Sequence, residues 1–495
     1  MQNQQLSNAS YSLFTVVIGI AIFMGALDTT IVNIALPTIS AIFDISMGTA
    51  SWVATSYLLI MAGSILIVGK AADIIGFKNI FLTGISIFTI GSLLCGFLPV
   101  FTQSFETLIL SRVIQAIGGA MMVSVAPAMI NVYLPQEIQG KNMGIIMSLA
   151  ALGTALGPTV GGFLTQYLSW SWIFYINIPI GIIAVLAGRK IIPGTLDKIN
   201  WNDFNNFDKK GAILIFIALA ALLFVISEGE TFGWMSVTIL GSTLIGITCL
   251  VWFIYTERKS NDPVLDLGLF KSKTFLLLNL IVALVYMVFA GVSYLLPFFL
   301  QLIKGFETST AGLILTALSA GLMICGIIAG LVYNKVGGKK LTLCATVLMA
   351  IGYFLMSRMN GSSSTVYIIT CLFLIGAGIG LMTTPVSNMV MSLAPAKKKG
   401  MVSSLLSLER FAPMTIGIAF FNLFFVNSVL ELATRYGIVA PTSLADVQDI
   451  LIIGFDLSFF VAFVITILVV IITLIADWEI KEEMHDAEHS YIVIH

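Results

Sequence analysis

The sequence predicts an all-α polytopic membrane protein: two six-helix bundles with two extra helices between them, fourteen transmembrane helices in all. Three observations carry that prediction. Hydrophobic residues make up 58% of the chain and charged residues only 10%, against roughly 25% charged in soluble domains, and the mean hydropathy is +1.03. Apolar runs recur along the whole chain, each near the roughly 20 residues that a bilayer's hydrocarbon core requires. The chain also repeats itself: at one constant shift Gly69, Gly76 and Lys78 meet Gly330, Gly337 and Lys339.

In chain order the apolar runs are 12–36, 49–68, 79–98, 106–133, 141–164, 170–189, 211–227, 236–256, 274–299, 309–332, 341–357, 365–391, 401–427 and 455–476. The seventh is short. The fourth and thirteenth are long and should tilt or extend into water. The first eleven residues carry no charge, so they lack the basic region of a cleaved leader and the first run is expected to stay as a helix.

Orientation follows from the basic residues, which gather in short cytoplasmic loops. With both termini in the cytoplasm, the inner loops and the C-terminal tail hold 19 of the 24 Lys and Arg. The outer loops then hold Lys304, Arg358 and Arg435, while Arg112 and Arg410 fall inside spans. The expected organisation is a cytoplasmic tail (1–11), an N-terminal bundle (12–190), a linker with two extra helices (191–273), a C-terminal bundle (274–476) and a second cytoplasmic tail (477–495). Parallel repeats of this kind place a substrate site between the halves near the midplane. The longest outer connection is expected at 428–454.

The connection 69–78 reads GKAADIIGFK, and its second copy reads GLVYNKVGGKK, with Asn334 where the first has Asp73. Gly69 and Gly76 let backbones approach. Asp73 can accept from a helix N-terminus or pair with an arginine, and Lys70 and Lys78 mark the inner side. A hairpin that only fixes topology is the plainer alternative. In the fifth span GTALGPTVGG contains Gly153, Gly157, Pro158 and Gly161. Proline there removes a helix hydrogen bond and the small residues allow tight packing, which together suit a hinge.

Charge inside a bilayer costs about 2.5–3.5 kcal/mol on insertion scales, so each such residue needs a reason. Asp28 lies nine residues before Pro37, which is expected to close the first span. Burial opposes its charge and a nearby cation favours it, so it is either a proton site or a permanently paired structural aspartate. Arg112 lies at a similar depth in the fourth span and keeps its proton. It either sets the proton affinity of Asp28 or makes a fixed helix–helix bond. Glu409 and Arg410 are adjacent in the thirteenth span. Neighbouring positions face different ways, so one is expected toward the cavity, with Glu409 a second protonation candidate. Asp28, Glu409 and Arg410 are the expected charged residues of the substrate cavity. Asp456 is expected to cap the last helix.

Other chemistries find no footing. The net charge of −1 and the absence of a long basic run speak against nucleic acid. Cys95, Cys249, Cys325, Cys344 and Cys371 all fall in apolar spans and form neither a disulfide framework nor a zinc pattern. His485, His489 and His495 lie in the C-terminal tail. No GxxxxGK[ST] occurs, so the nucleotide-binding loop is missing. The expected partners are a small-molecule substrate, protons and the lipid bilayer, with no cofactor and no metal, and the chain is expected to act as a monomer. A membrane-embedded enzyme would need paired catalytic groups in a span, which are not found.

Five stretches in order, LDTTIVNIALP, GKAADIIGFK, LSRVIQAIGGA, GTALGPTVGG and WIFYINIPIG, closely resemble the major facilitator superfamily, and within it the fourteen-helix drug:proton antiporters. The resemblance covers nearly all of 12–476. It implies the major facilitator fold, residence in the plasma (inner) membrane, and proton-coupled export of small hydrophobic or amphiphilic compounds by alternating access. It implies proton-coupling roles for Asp28 and Arg112 and an inner gate at Gly69, Asp73, Gly76 and Lys78. Members that expel divalent organic cations can carry an acid in the tenth span; 309–332 has none. Export of a lipid, siderophore or metabolite is the alternative, and a transporter-fold receptor or sensor a more distant one.

Overall fold

The computed structural model describes residues 8–193, 209–259, 267–395, 399–435 and 444–478. Each of the fourteen apolar runs falls in a helix. The first six are α1 Asn8–Phe43, α2 Met47–Ile75, α3 Phe77–Thr102, α4 Phe105–Tyr133, α5 Gln136–Tyr167, and α6, whose first turn Trp172–Tyr175 leads into Asn177–Ile191. Next come α7 Lys209–Phe232 and α8 Val237–Lys259. The last six are α9 Lys273–Phe298, prolonged by a π turn at Phe299–Ile303, α10 Thr308–Val336, α11 Gly338–Met356, α12 Thr365–Ser392, α13 Lys399–Arg435 and α14 Leu444–Ile475. Serines start several of them: Ser46, Ser104, Ser272 and Ser364 each accept from the backbone N–H three residues on, satisfying donors that a helix start leaves free.

Among the described residues, twelve helices are long and apolar enough to cross a membrane by length and composition. The other two are α2, in which several side chains, those of Lys70 and Asp73 among them, lie outside the described residues, and α7, apolar over Lys210–Ile226. Large apolar side chains stand exposed on the outside of the bundle, among them Leu244, Val251 and Trp252 on α8 and Val464 and Leu468 on α14. Continuous apolar surface of that extent suits lipid, not water.

Helices α1–α6 pack mainly on one another, as do α9–α14, and the halves meet where α5 packs on α10 and α2 on α13. Helix α7 packs on α8 and leans on both α2 and α13. Trp52 on α2 donates its indole N–H to Glu228 on α7 at 2.5 Å.

The internal repeat is visible in the backbone. Gly76, between α2 and α3, has φ 98° and ψ 137°. Its repeat mate Gly337, between α10 and α11, has φ 83° and ψ 152°. A residue with a Cβ is strained there, so the same one-residue break is written twice. The segment 69–78 is therefore no ten-residue loop: α2 runs through Ile75 and only Gly76 leaves the helix. Lys78 donates to the carbonyls of Arg189 and Ile192 at 3.2 and 2.5 Å, closing the C-terminus of α6. The side chain of Asp73 lies outside the described residues.

Three boundaries differ from the sequence reading. Pro37 does not close α1, which continues to Phe43; a spanning helix tolerates proline where neighbours take up the freed carbonyl. Asp456 does not cap α14, which begins at Leu444. The connection 428–454 shrinks accordingly, because α13 and α14 extend into it. What remains of it, 436–443, lies outside the described residues, as do 194–208 of the linker and all but the start of the C-terminal tail.

The glycines of α5 divide by face. Gly153, Gly157 and Gly161 lie against α1, where added Cβ atoms would overlap Phe23, Thr30 and Ile31. On another face Gly162 meets the Thr308 carbonyl, and Gly312 of α10 meets the Pro158 carbonyl. Pro158 lacks the N–H that would bond the Thr154 carbonyl. That carbonyl is taken instead by the Thr30 hydroxyl of α1 at 3.3 Å and the Ser319 hydroxyl of α10 at 3.2 Å. One proline thus supplies an acceptor shared by both halves.

The same close approach governs α3 and α4. A Cβ on Gly91 would sit 2.6 Å from the Gln115 Cα, and one on Gly118 would run into the Phe88 backbone. Gly118→Ala is expected to cost about 1–3 kcal/mol, the usual penalty of overpacking. Gly144→Ala, with open space around it, should be neutral or stabilising by about 0.5 kcal/mol. Thermal unfolding of the purified pair in detergent checks the contrast.

Candidate functional site

Five helices of the N-terminal half converge on Asp28, which has no exposed surface. Its Oδ2 accepts from Arg112 Nη1 at 2.7 Å. Its Oδ1 accepts from Gln115 Nε2 at 2.8 Å and Asn177 Nδ2 at 3.2 Å. Arg112 Nη1 also donates to Gln115 Oε1 at 2.6 Å, and its Nε to the Val53 carbonyl at 3.0 Å. Ser92 on α3 accepts from Gln115 at 2.8 Å and Asn177 at 3.4 Å, and donates to the Phe88 carbonyl. The guanidinium lies 4.1 Å from the centroid of the Tyr57 ring, a cation–π distance. A buried ion pair survives only with such full bonding, because desolvating two charges otherwise outweighs their attraction.

Local sequence sets this geometry. Arg112 and Gln115 are three residues apart on α4 and so share a face. Gly91 lets that face reach α3, which brings Gln115 to Ser92. Gly119 leaves room for the Tyr57 hydroxyl, which a Cβ there would approach to 2.7 Å.

Beside this cluster, between the halves, lies a cavity of about 50 Å³. That is room for a few waters and far too little for a drug-sized ligand. Thr29, Asn33, Tyr57, Arg112 and Pro158 line it from the N-terminal half. Phe289, Leu296, Leu315, Leu318, Met414 and Ile418 line it from the other. Asp28 does not line the cavity, whereas its partner Arg112 does, together with Tyr57.

The structure therefore brings Asp28 and Arg112 together, and separates Glu409 and Arg410 from them. Glu409 is buried on α13 and its Oε2 has no hydrogen bond. Arg410 lies 5.7 Å from the centroid of the Tyr286 ring. Neither lines the cavity in this closed shape. Sequence reasoning missed Tyr57, Ser92, Gln115 and Asn177. The spacing of Gln115 from Arg112 was a usable signal; the other three carry none that distinguishes them from ordinary span residues.

The halves are sealed at the end where α1 finishes and α2 begins. Tyr294 donates to the Met47 carbonyl at 2.6 Å, and Gln301 to the Ile34 carbonyl at 3.1 Å. Gln166 donates to Glu307 at 2.6 Å and accepts from the Ser309 N–H at 2.9 Å. Thr159 and Thr316 share a hydrogen bond nearer the middle. Hydrogen bonds found between the halves among the described residues all lie from the middle to this end.

Removing one partner of the ion pair strands the other. Arg112→Gln alone is expected to destabilise the protein by about 3–5 kcal/mol. Asp28→Asn/Arg112→Gln should recover part of that loss, since no uncompensated charge remains. A double-mutant cycle by thermal or chemical unfolding checks it.

Comparison with known proteins adds the wider relationship. Residues 18–418 match the Major Facilitator Superfamily. The chain is 33% identical to the riboflavin transporter RibZ of Clostridioides difficile, over 84% of this chain and 88% of that one. It is 30% identical to multidrug resistance protein 3 of Bacillus subtilis, over 82% of this chain and 78% of that one. Among solved structures it resembles a bacterial homolog of the human lysosomal transporter Spinster, with TM-score 0.66 at 16% identity over 95% of this chain and 98% of that one. It also resembles a D-xylose–proton symporter, with TM-score 0.62 at 14% identity over 91% of this chain and 97% of that one. Closely packed helical halves, an internal repeat and a match along most of the sequence agree: the chain is a multi-span transporter, not an enzyme, and belongs to the Major Facilitator Superfamily.

Proposed function

We propose that this transporter exports small hydrophobic or amphiphilic compounds across the plasma membrane in exchange for protons. The observation that carries the reading is the buried Asp28 cluster, with Arg112 forming both its counter-charge and part of the cavity wall. Protonation neutralises Asp28 and frees Arg112 from its 2.7 Å bond. Arg112 and the helices it joins then rearrange, and the halves rock about the central site. Substrate favours the opposite arrangement, and its differential affinity for the two shapes does the work.

In this scheme fourteen helices span the membrane with both termini in the cytoplasm, and the monomer is the working unit. The unit 12–190 moves against 274–476, with 191–273 as the tether. Gly153, Gly157, Pro158 and Gly161 form the hinge surface, supported by the Thr154 carbonyl that α1 and α10 share. Gly69, Asp73, Gly76 and Lys78 form the inner gate, supported by the φ of 98° at Gly76 and by the grip of Lys78 on α6. Glu409 is a second protonation site that opens to the cavity only when the sealed end parts.

Energetics are sufficient. One proton moving through about 100 mV contributes roughly 2.3 kcal/mol, and an outside pH one unit lower adds about 1.36 kcal/mol. Together they sustain a gradient on the order of 500-fold for a neutral substrate at 1:1 exchange.

A second reading is export of a particular metabolite. It is favoured by the absence of an acid among the described residues of the cavity wall and by the similarity to a protein named as a riboflavin transporter. Proteoliposome uptake with an imposed pH gradient tests the coupling common to both. We expect gradient-driven accumulation by the native chain and its loss, by at least about 10-fold, in Asp28→Asn. Accumulation that survives both an uncoupler and Asp28→Asn contradicts it.

A further inference from the structure

The cavity has two unlike walls, and together they specify a ligand. On the N-terminal side Arg112 is the only charged lining residue among those described, and its charge is already balanced by Asp28. Its Nε and Nη1 are committed to Val53, Asp28 and Gln115. No hydrogen bond from Nη2 is found among the described residues, so that nitrogen is a donor left for an occupant. Asn33 lines the same wall, one helical turn from Thr29, and its Oδ1 is buried without a partner. An unpaired buried acceptor costs about 1–3 kcal/mol, a cost that a ligand N–H or O–H removes. The C-terminal wall is apolar, with Phe289, Leu315, Leu318 and Met414 among its residues, but for the hydroxyls of Ser293 and Ser319, the latter given to the Thr154 carbonyl, and it offers dispersion and no charge. Glu409, five residues before Met414, is buried and does not line the wall.

From this, and resting on the exporter reading above, we propose that the site, widened beyond its 50 Å³ as the halves part, takes an uncharged, planar amphiphile. One edge carries an N–H or O–H donor for Asn33 Oδ1 and a carbonyl-type acceptor for Arg112 Nη2; the apolar body lies on the C-terminal wall. Amides, lactams and imides have that chemistry. A lipophilic cation does not fit: it meets a guanidinium and no carboxylate in the wall, and it leaves Asn33 Oδ1 unpaired unless it also bears an N–H.

A matched ring series tests this in purified full-length protein in nanodiscs, by ligand fluorescence with no gradient. The probes are 6(5H)-phenanthridinone (neutral, adjacent N–H and C=O), 5-methylphenanthridin-6-one (neutral, donor removed) and 5-methylphenanthridinium (permanent cation). Phenanthridinone should bind about 10-fold tighter than its N-methyl derivative, the worth of one good hydrogen bond, and tighter still than the cation. Asn33→Leu should erase the difference between the two neutral probes. Asn33→Asp, which puts a carboxylate into the wall, should raise cation affinity by about 10-fold or more, and its thermal stability verifies folding. Equal or tighter cation binding by the native chain overturns the proposal, as does a phenanthridinone preference that survives Asn33→Leu, or no binding of phenanthridinone at its solubility limit. The exporter reading fails separately: selective phenanthridinone binding without proton-driven uptake sinks export and leaves the ligand class standing, while proton-driven uptake confined to cations does the reverse.

Discussion

A carboxylate and a guanidinium held 2.7 Å apart with almost no exposed surface set the terms for the N-terminal half of this protein. In hydrocarbon neither charge has water to fall back on, so the protein must supply every partner. Asp28 has three donors, and Arg112 has a carboxylate, an amide, a backbone carbonyl and an aromatic face. Those partners come from α1, α2, α4 and α6, and Ser92 on α3 holds two of them, Gln115 and Asn177. Helices must lie very close for side chains as short as serine and asparagine to meet, and glycine makes that approach possible. Gly91, Gly118 and Gly119 are as much a part of the site as the residues that touch Asp28.

The two halves share a backbone plan but not this chemistry. Gly76 and Gly337 break their helices in the same conformation, which shows how faithfully the plan is copied. At the same shift, Asp28 corresponds to Phe289, Arg112 to Phe373 and Gln115 to Gly376. Phe289 lies in the apolar cavity wall, and Gly376 lets α12 press against the Leu318 carbonyl of α10. Where one half buries a polar network, the other packs hydrocarbon. In the proposed rocking scheme, a charge change in the polar half acts on a partner that responds mainly through shape.

Much of this was legible in the sequence, for physical reasons that differ by feature. Apolar runs announce spans because lipid demands them. Asp28 and Arg112 stand out because charge in a span is costly, and their pairing follows from similar depth. The repeat was readable from glycines and lysines at one constant shift. Helix ends were less readable: Pro37 sits inside α1 and Asp456 inside α14, because helices that protrude from a bilayer need no apolar residues there. The uncharged members of the site were hidden. Serines and threonines in spans usually bond their own helix, as Ser86 and Thr89 do here, and only packing reveals that Ser92 also serves Asn177 and Gln115. The placement of Glu409 and Arg410 away from the cavity was likewise unreadable, since helix rotation depends on neighbours the sequence does not name.

The central claim is that the charge of one buried carboxyl decides which end of the paired halves is open. Spin labels at Leu168 and Leu302, both exposed at the sealed end, report that directly through the distance distribution between them, measured across pH in nanodiscs. The account predicts a two-population exchange that shifts with pH in the native chain and is pinned to a single pH-independent distribution in Asp28→Asn. A pH-dependent exchange that persists unchanged in Asp28→Asn would contradict it.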